Sequence, residues 1–176
     1  MDNQIIQAAQ SLKEKTIARR RDLHRHAEAA WTEFRTAAFV AKTLTELGYE
    51  VSTGAAVHDE ASMMGVPSKA DLEKHMQRAI DQGAEKAWVE QMAGGKTGVV
   101  GVMKFAKPGP VVALRVDMDA NDLTEAAEEK HRPFREGFAS VNKGAMHACG
   151  HDGHTSVGLA VAEVLAGMKD QLAGTI

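Results

Sequence analysis

Three histidines, one aspartate and the only cysteine of the chain fall within nine residues, Met146-His147-Ala148-Cys149-Gly150-His151-Asp152-Gly153-His154. Cys149 and His151 carry lone pairs suited to a borderline-soft divalent ion, zinc first among them. Gly150 and Gly153 permit the sharp turn that lets neighbouring side chains converge. An apolar, alanine-rich run begins a few residues later. The cluster therefore sits at a helix entrance, where the helix dipole favours a thiolate. Three readings of Cys149 stand side by side. It is a metal ligand with His151, a nucleophile activated by a nearby histidine, or a small buried packing residue. A single Cys-x-His pair does not choose among them, because finger-type zinc sites carry two separated pairs.

A second constellation lies upstream. The nearly continuous apolar run over 111–116 reads as a buried strand and ends in Asp117-Met118-Asp119. Strand periodicity puts the two carboxylates on one face, beyond the carboxyl end of a strand, where open α/β sheets place ligands. Two like charges there call for a cation or for donors; otherwise they are ordinary turn residues. Asp152 reads as the cap of the following helix. His147 and His154 are ligands, supporting groups or surface. His24, His26, His58, His75 and His131 carry no spacing that points to a site and read as surface, as does the run Arg19-Arg20-Arg21.

The elements that must position these groups follow from periodicity. Helices are predicted over 3–26 and 31–47, the second stopped by Gly48. A short strand over 49–55 and an irregular loop over 56–68 come next. A third helix opens at Ser68, with Asp71 three residues on in a capping-box-like arrangement. It carries Leu72, Met76, Ile80, Ala84, Trp88 and Met92 at fourfold spacing as far as Gly94-Gly95. Strands over 97–104 and 111–116 flank a turn at Pro108-Gly109-Pro110. Residues 120–145 are polar and include an excursion, Glu125 to Lys143, that lies over the site; a fourth helix covers 154–172, and a new β-run starts at Gly174-Thr175-Ile176.

At 176 residues the chain suffices for one domain with a real core. A net charge of -3, with no basic stripe, leaves no nucleic-acid footprint. One cysteine excludes an internal disulfide and suits a reducing compartment. No signal-peptide pattern and no apolar run near the roughly 20 residues of a bilayer span occur, so a cytoplasmic protein without membrane contact is expected.

Val116-Asp117-Met118-Asp119-Ala120, followed by the cluster at 146–154, resembles a family of metal-dependent amidohydrolases that includes hippurate, auxin-conjugate and aminobenzoyl-glutamate hydrolases and carboxypeptidase G. Arg20-Arg21-Asp22-Leu23-His24, with Glu28 and Glu33, resembles that family's opening. Ala27, Trp31-Thr32-Glu33-Phe34-Arg35-Thr36 and the methionine-striped segment 56–95 look like its aminobenzoyl-glutamate branch. The resemblance implies a three-layer α/β/α, zinc-peptidase-like catalytic domain. Residues 1–176 would be its N-terminal part, with an incomplete sheet, no lid domain and a helical insert at 56–95. It implies that Cys149 and His151 bind metal, that Asp119 orients the metal site, and that two divalent ions, zinc or manganese, serve the complete enzyme. Asp117 stands where distant relatives have a ligand histidine.

The implied reaction is attack of metal-activated water on the amide of a small N-acyl or N-aroyl amino acid such as p-aminobenzoyl-glutamate, in a homo- or hetero-oligomer. The family's paired glutamates and remaining ligands are expected beyond Ile176. The 176 residues alone are therefore expected to be inactive and, with an open sheet edge, prone to self-association. The alternative is a non-catalytic product or interaction module that retains a partial metal site.

Overall fold

The structure, a computed structural model, describes residues 2–176. The first predicted helix is two, α1 (Asp2–Ser11) and α2 (Lys13–Arg25). They part at Leu12, whose N–H is shared between Ala8 O and Ala9 O at 3.3 and 3.2 Å. Helix α3 (Phe34–Glu46) starts three residues later than its periodicity suggests. Trp31 takes φ +66°, a left-handed conformation that no helix interior accepts. Gly48, at φ +86°, ends α3 where the sequence places the stop.

The face of α3 formed by Phe34, Ala37, Ala38 and Ala41 is buried. Against it pack α4 (Lys69–Asp81) and α5 (Lys86–Gln91). Periodicity predicts a single helix here; Gly83 at φ +91° divides it. The fourfold stripe survives the break, because Leu72 and Met92 are buried and Met76, Ile80, Ala84 and Trp88 pack around them. Ser68 caps α4 as its spacing predicts. Its hydroxyl accepts from Asp71 N at 3.2 Å and donates to the Asp71 carboxylate at 2.7 Å.

Four short strands follow the α/β expectation. β1 (Glu50–Thr53) pairs antiparallel with β2 (Val99–Val102), and β3 (Lys107–Val111) pairs parallel with β4 (Ala173–Thr175). Reciprocal bonds Met103 N→Ile176 O (2.8 Å) and Ile176 N→Met103 O (3.0 Å) join the two ladders. The strands thus form two two-stranded ladders, β1-β2 and β3-β4, linked just beyond the ends of β2 and β4. Two expectations fail here. Pro108-Gly109-Pro110 is not a turn but lies inside β3, which is tolerable on an edge strand. Residues 111–116 are not a buried strand: Val111 is 80% and Leu114 55% exposed. The last ladder bond is Val112 N→Thr175 O, at 2.9 Å. Beyond it the run has no strand beside it among the described residues and instead walls an apolar groove of about 460 Å³ shared with β2 and helix α7 (His151–Gly167).

Helix α7 begins at His151, three residues before the predicted start, directly after Gly150 at φ +81°. Asp152 is thus inside its first turn and is not its cap. Helix α7 packs chiefly on α2, and Tyr49 OH ties it to β1 by donating to Ala162 O at 3.0 Å. In the structure the excursion spans 120–145 and contains one short helix, α6 (Arg132–Arg135). Among the described residues no helix is long and apolar enough to cross a membrane.

Candidate metal centre

The site assembles where the run after β3 meets the first turn of α7. The Ala120 N–H donates to Glu28 O at 2.7 Å, and Asn121 and Met146 exchange backbone bonds of 2.9 and 3.1 Å. These bonds fix the chain on both sides of the loop and hold Asp119 beside α7. The Thr155 hydroxyl donates to Asp117 O at 3.1 Å and fixes the preceding residue pair against the same helix.

Asp119 and His151 meet directly. The ring Nδ1 lies 2.9 Å from Asp119 Oδ1 and 3.0 Å from Asp119 O. A carboxylate and a carbonyl can only accept, so Nδ1 carries the proton and Nε2 of the neutral ring keeps its lone pair. This is the arrangement by which a carboxylate fixes the tautomer and raises the basicity of a metal-binding imidazole. Donor atoms of Asp117, His151 and His154 lie within 4.8 Å of one another, and the rings of His151 and His154 stack at 5.3 Å. Asp117 also accepts from Arg115 Nη2 at 2.7 Å.

Cys149 is exposed, which removes the buried-packing reading. Its Sγ receives Asn121 Nδ2 at 3.4 Å, and its N–H donates to Asn121 Oδ1 at 3.2 Å. The only hydrogen-bond partner of that sulfur among the described residues is an amide, not the histidine a nucleophile needs. Cys149 is not one of the three residues that already converge; it flanks them across Gly150.

Residues 113–176 match Peptidase family M20/M25/M40. Over 170 residues the chain is 48% identical to a p-aminobenzoyl-glutamate hydrolase subunit of Escherichia coli, covering 97% of this chain and 39% of that protein. The matched family segment thus holds Asp117, Asp119, Cys149 and His151. Over 157 residues it is 52% identical to indole-3-acetyl-aspartic acid hydrolase of Enterobacter agglomerans, covering 89% of this chain and 36% of that one. The chain thus spans well under half the length of these relatives. It superposes on an aminobenzoyl-glutamate utilization protein from Klebsiella pneumoniae with a TM-score of 0.77 and 36% identity, over 98% of this chain and 37% of that one. A dinuclear metal binding peptidase of the M20 family from Bacillus subtilis aligns at TM-score 0.60 and 27% identity, over 94% of this chain and 34% of that one.

The chain buries more polar groups behind the site than its spacing reveals. His24, read as surface, is 2% exposed. It sits between two carboxylates, with Nδ1 2.8 Å from Asp152 Oδ2 and Nε2 2.9 Å from Glu125 Oε1. His131, also read as surface, bonds the same Glu125 oxygen at 2.7 Å. Arg20 Nε adds a 2.8 Å bond to Asp152. The available signal was the spacing of Arg20 and His24, which places them on one helix face. His147 is buried, and neither ring nitrogen finds a partner among the described residues; desolvation pushes its pKa down to about 4. Glu33, also buried, has its pKa pushed up to about 7, first by burial and then by the negative charges of Glu28 and Asp119.

Proposed function

We propose that this chain supplies the first ligands of the metal centre in a metal-dependent amidohydrolase. The enzyme acts on the amide bond of a small N-acyl or N-aroyl amino acid, p-aminobenzoyl-glutamate being the leading candidate. The observation that carries this is the double contact of His151 Nδ1 with Asp119, which leaves the Nε2 lone pair of the neutral ring to a metal, together with the convergence of donor atoms of Asp117, His151 and His154 within 4.8 Å. An imidazole, carboxylates and a thiolate across one glycine form a donor set that suits zinc, and its carboxylate share also suits manganese. His151 and Cys149 are assigned as ligands and Asp119 as the group that orients His151. Asp117 and His154 stand ready as further donors. Divalent ions bound there, two in the complete enzyme, supply polarisation of the amide carbonyl and activation of water.

The names of the two curated relatives favour an aromatic acyl group joined to an acidic amino acid, since one names aminobenzoyl-glutamate and the other indole-3-acetyl-aspartate. The first of them is named as one subunit of its enzyme, in keeping with an oligomeric assembly. Activity is assigned to the whole protein; residues 1–176 alone are expected to bind metal and leave the substrate intact. The alternative, a non-catalytic module that retains a partial metal site, predicts no metal-dependent hydrolysis of p-aminobenzoyl-glutamate by the whole protein, and that assay separates the two. Calorimetric titration with zinc near pH 7 tests the ligand assignment itself. Asp119→Asn is expected to weaken binding about 10- to 100-fold, the usual effect of losing such an orienting carboxylate. Equal affinity for wild type and Asp119→Asn overturns the assignment.

A further inference from the structure

We propose that His24 is a positioning residue that clamps the excursion over 120–145 to the first turn of α7, and so sets the geometry of the metal centre. The proposal rests on the assignment of His151 as a ligand. His24 projects from the last turn of α2 and bonds two other parts of the chain through its two ring nitrogens. One is Asp152, which adjoins His151 on α7; the other is Glu125, on the excursion. Their side chains, like that of His24, are all but completely buried.

Each carboxylate is in turn the hub of its own segment. Glu125 accepts from His131 Nε2 and from Ser140 N, which draws the two halves of the excursion together. Asp152 accepts from Arg20 Nε and from Gly153 N. The excursion also begins and ends at the site: Asn121, at its start, bonds Cys149, and Met146, at its end, pairs with Asn121. A displacement of the excursion would therefore reach Cys149 through Asn121, and a displacement of Asp152 would reach His151 through one peptide unit.

Two acceptors on one imidazole require two ring protons. The groups facing the ring are Asp152, Glu125, Arg20 and His131, with His147 at 6.2 Å and the edge of Phe138 at 5.5 Å. Burial disfavours the charged ring, but its bonds to Asp152 and Glu125 outweigh that, and its pKa is held above the ordinary histidine value. A surface histidine at a helix end would have neither partner. Without the imidazolium, two buried carboxylates would face each other with no shared cation, an arrangement that must open.

The test pairs His24→Ala with His24→Gln, which retains donors, and with Glu125→Ala, which releases only the excursion. In metal-free protein, amide hydrogen exchange at Ser140 and Asn121 should accelerate at least tenfold in both alanine variants, while Ala41 and Leu44 in α3 stay protected. Cobalt(II) titrations of the same proteins should show affinity lowered about tenfold or more and an altered visible spectrum, with His24→Gln intermediate. Uniform acceleration across the chain, or cobalt affinity and spectrum unchanged in His24→Ala, overturns the proposal. His151→Ala is the control for the underlying assignment. If it binds cobalt as wild type does, the ligand assignment is wrong, and the exchange measurements still decide whether His24 clamps the excursion. If His24→Ala does not fold, Glu125→Ala carries both readouts.

Discussion

Glu28 offers a severe test of how the fold holds the site. Its carboxylate is fully buried and accepts from Arg35 N at 3.2 Å, Thr36 N at 2.8 Å and Arg78 Nη2 at 2.9 Å. The first two donors are free N–H groups of the opening turn of α3, so Glu28 caps that helix from outside it. Its backbone carbonyl receives Ala120 N, next to Asp119. Glu28→Ala should lose about 1 kcal/mol for each of the two helix-end donors. It should lose on the order of 1–3 kcal/mol more for leaving Arg78 without its carboxylate. Burial raises the pKa of Glu28, so relief of that desolvation returns part of the loss. The net expectation is a destabilisation of about 2–4 kcal/mol. Glu28→Gln keeps one acceptor oxygen in the same volume and should cost about half as much. Urea unfolding followed by circular dichroism measures both, with an unchanged slope confirming that stability alone has moved. A Glu28→Ala midpoint equal to wild type would refute the reasoning, as would equal losses in the two variants.

Glu33 should make stability depend on pH. Its folded pKa of about 7 lies above the ordinary value of 4.5. Its contribution is therefore complete below pH 4.5 and is lost as pH rises through 7. That shift corresponds to at most about 3 kcal/mol, so Glu33→Gln should match wild type near pH 4.5 and be more stable by about 1–3 kcal/mol at pH 8. Parallel pH profiles in chemical unfolding would exclude this. Gly54 has φ +64°, and a Cβ there would lie 2.1 Å from Gln91 O. Gly54→Ala should lower the unfolding free energy by about 2 kcal/mol or more, read as a fall in thermal midpoint; no fall would mean that the turn after β1 and Gln91 do not approach so closely.

The local features of the chain were legible in the sequence, and the long-range ones were not. Gly48 stops α3 and Ser68 caps α4 because each acts through neighbours within a few residues. The fourfold stripe from Leu72 to Met92 identified a buried face correctly, yet gave no sign that Gly83 breaks it into two helices. Residues 111–116 misled because an apolar run reports the tendency to be buried, whereas burial needs a partner strand, and β4 reaches only to Val112. Cys149, His151 and Asp119 were singled out by type and by family likeness; the structure joins Asp119 to His151 directly and leaves Cys149 outside the converging group. His24 escaped because its partners lie 128 and 101 residues away in the chain. No periodicity carries information over that distance.

The most direct test of the central claim is metal stoichiometry after loading with zinc or manganese and removal of unbound ion. It should be measured by elemental analysis on wild type, Cys149→Ala and His151→Ala. Wild type should retain bound metal, His151→Ala should lose it, and Cys149→Ala should hold less, with a weaker preference for zinc. Equal loading of all three proteins would contradict the assignment of Cys149 and His151 as the first ligands of the site.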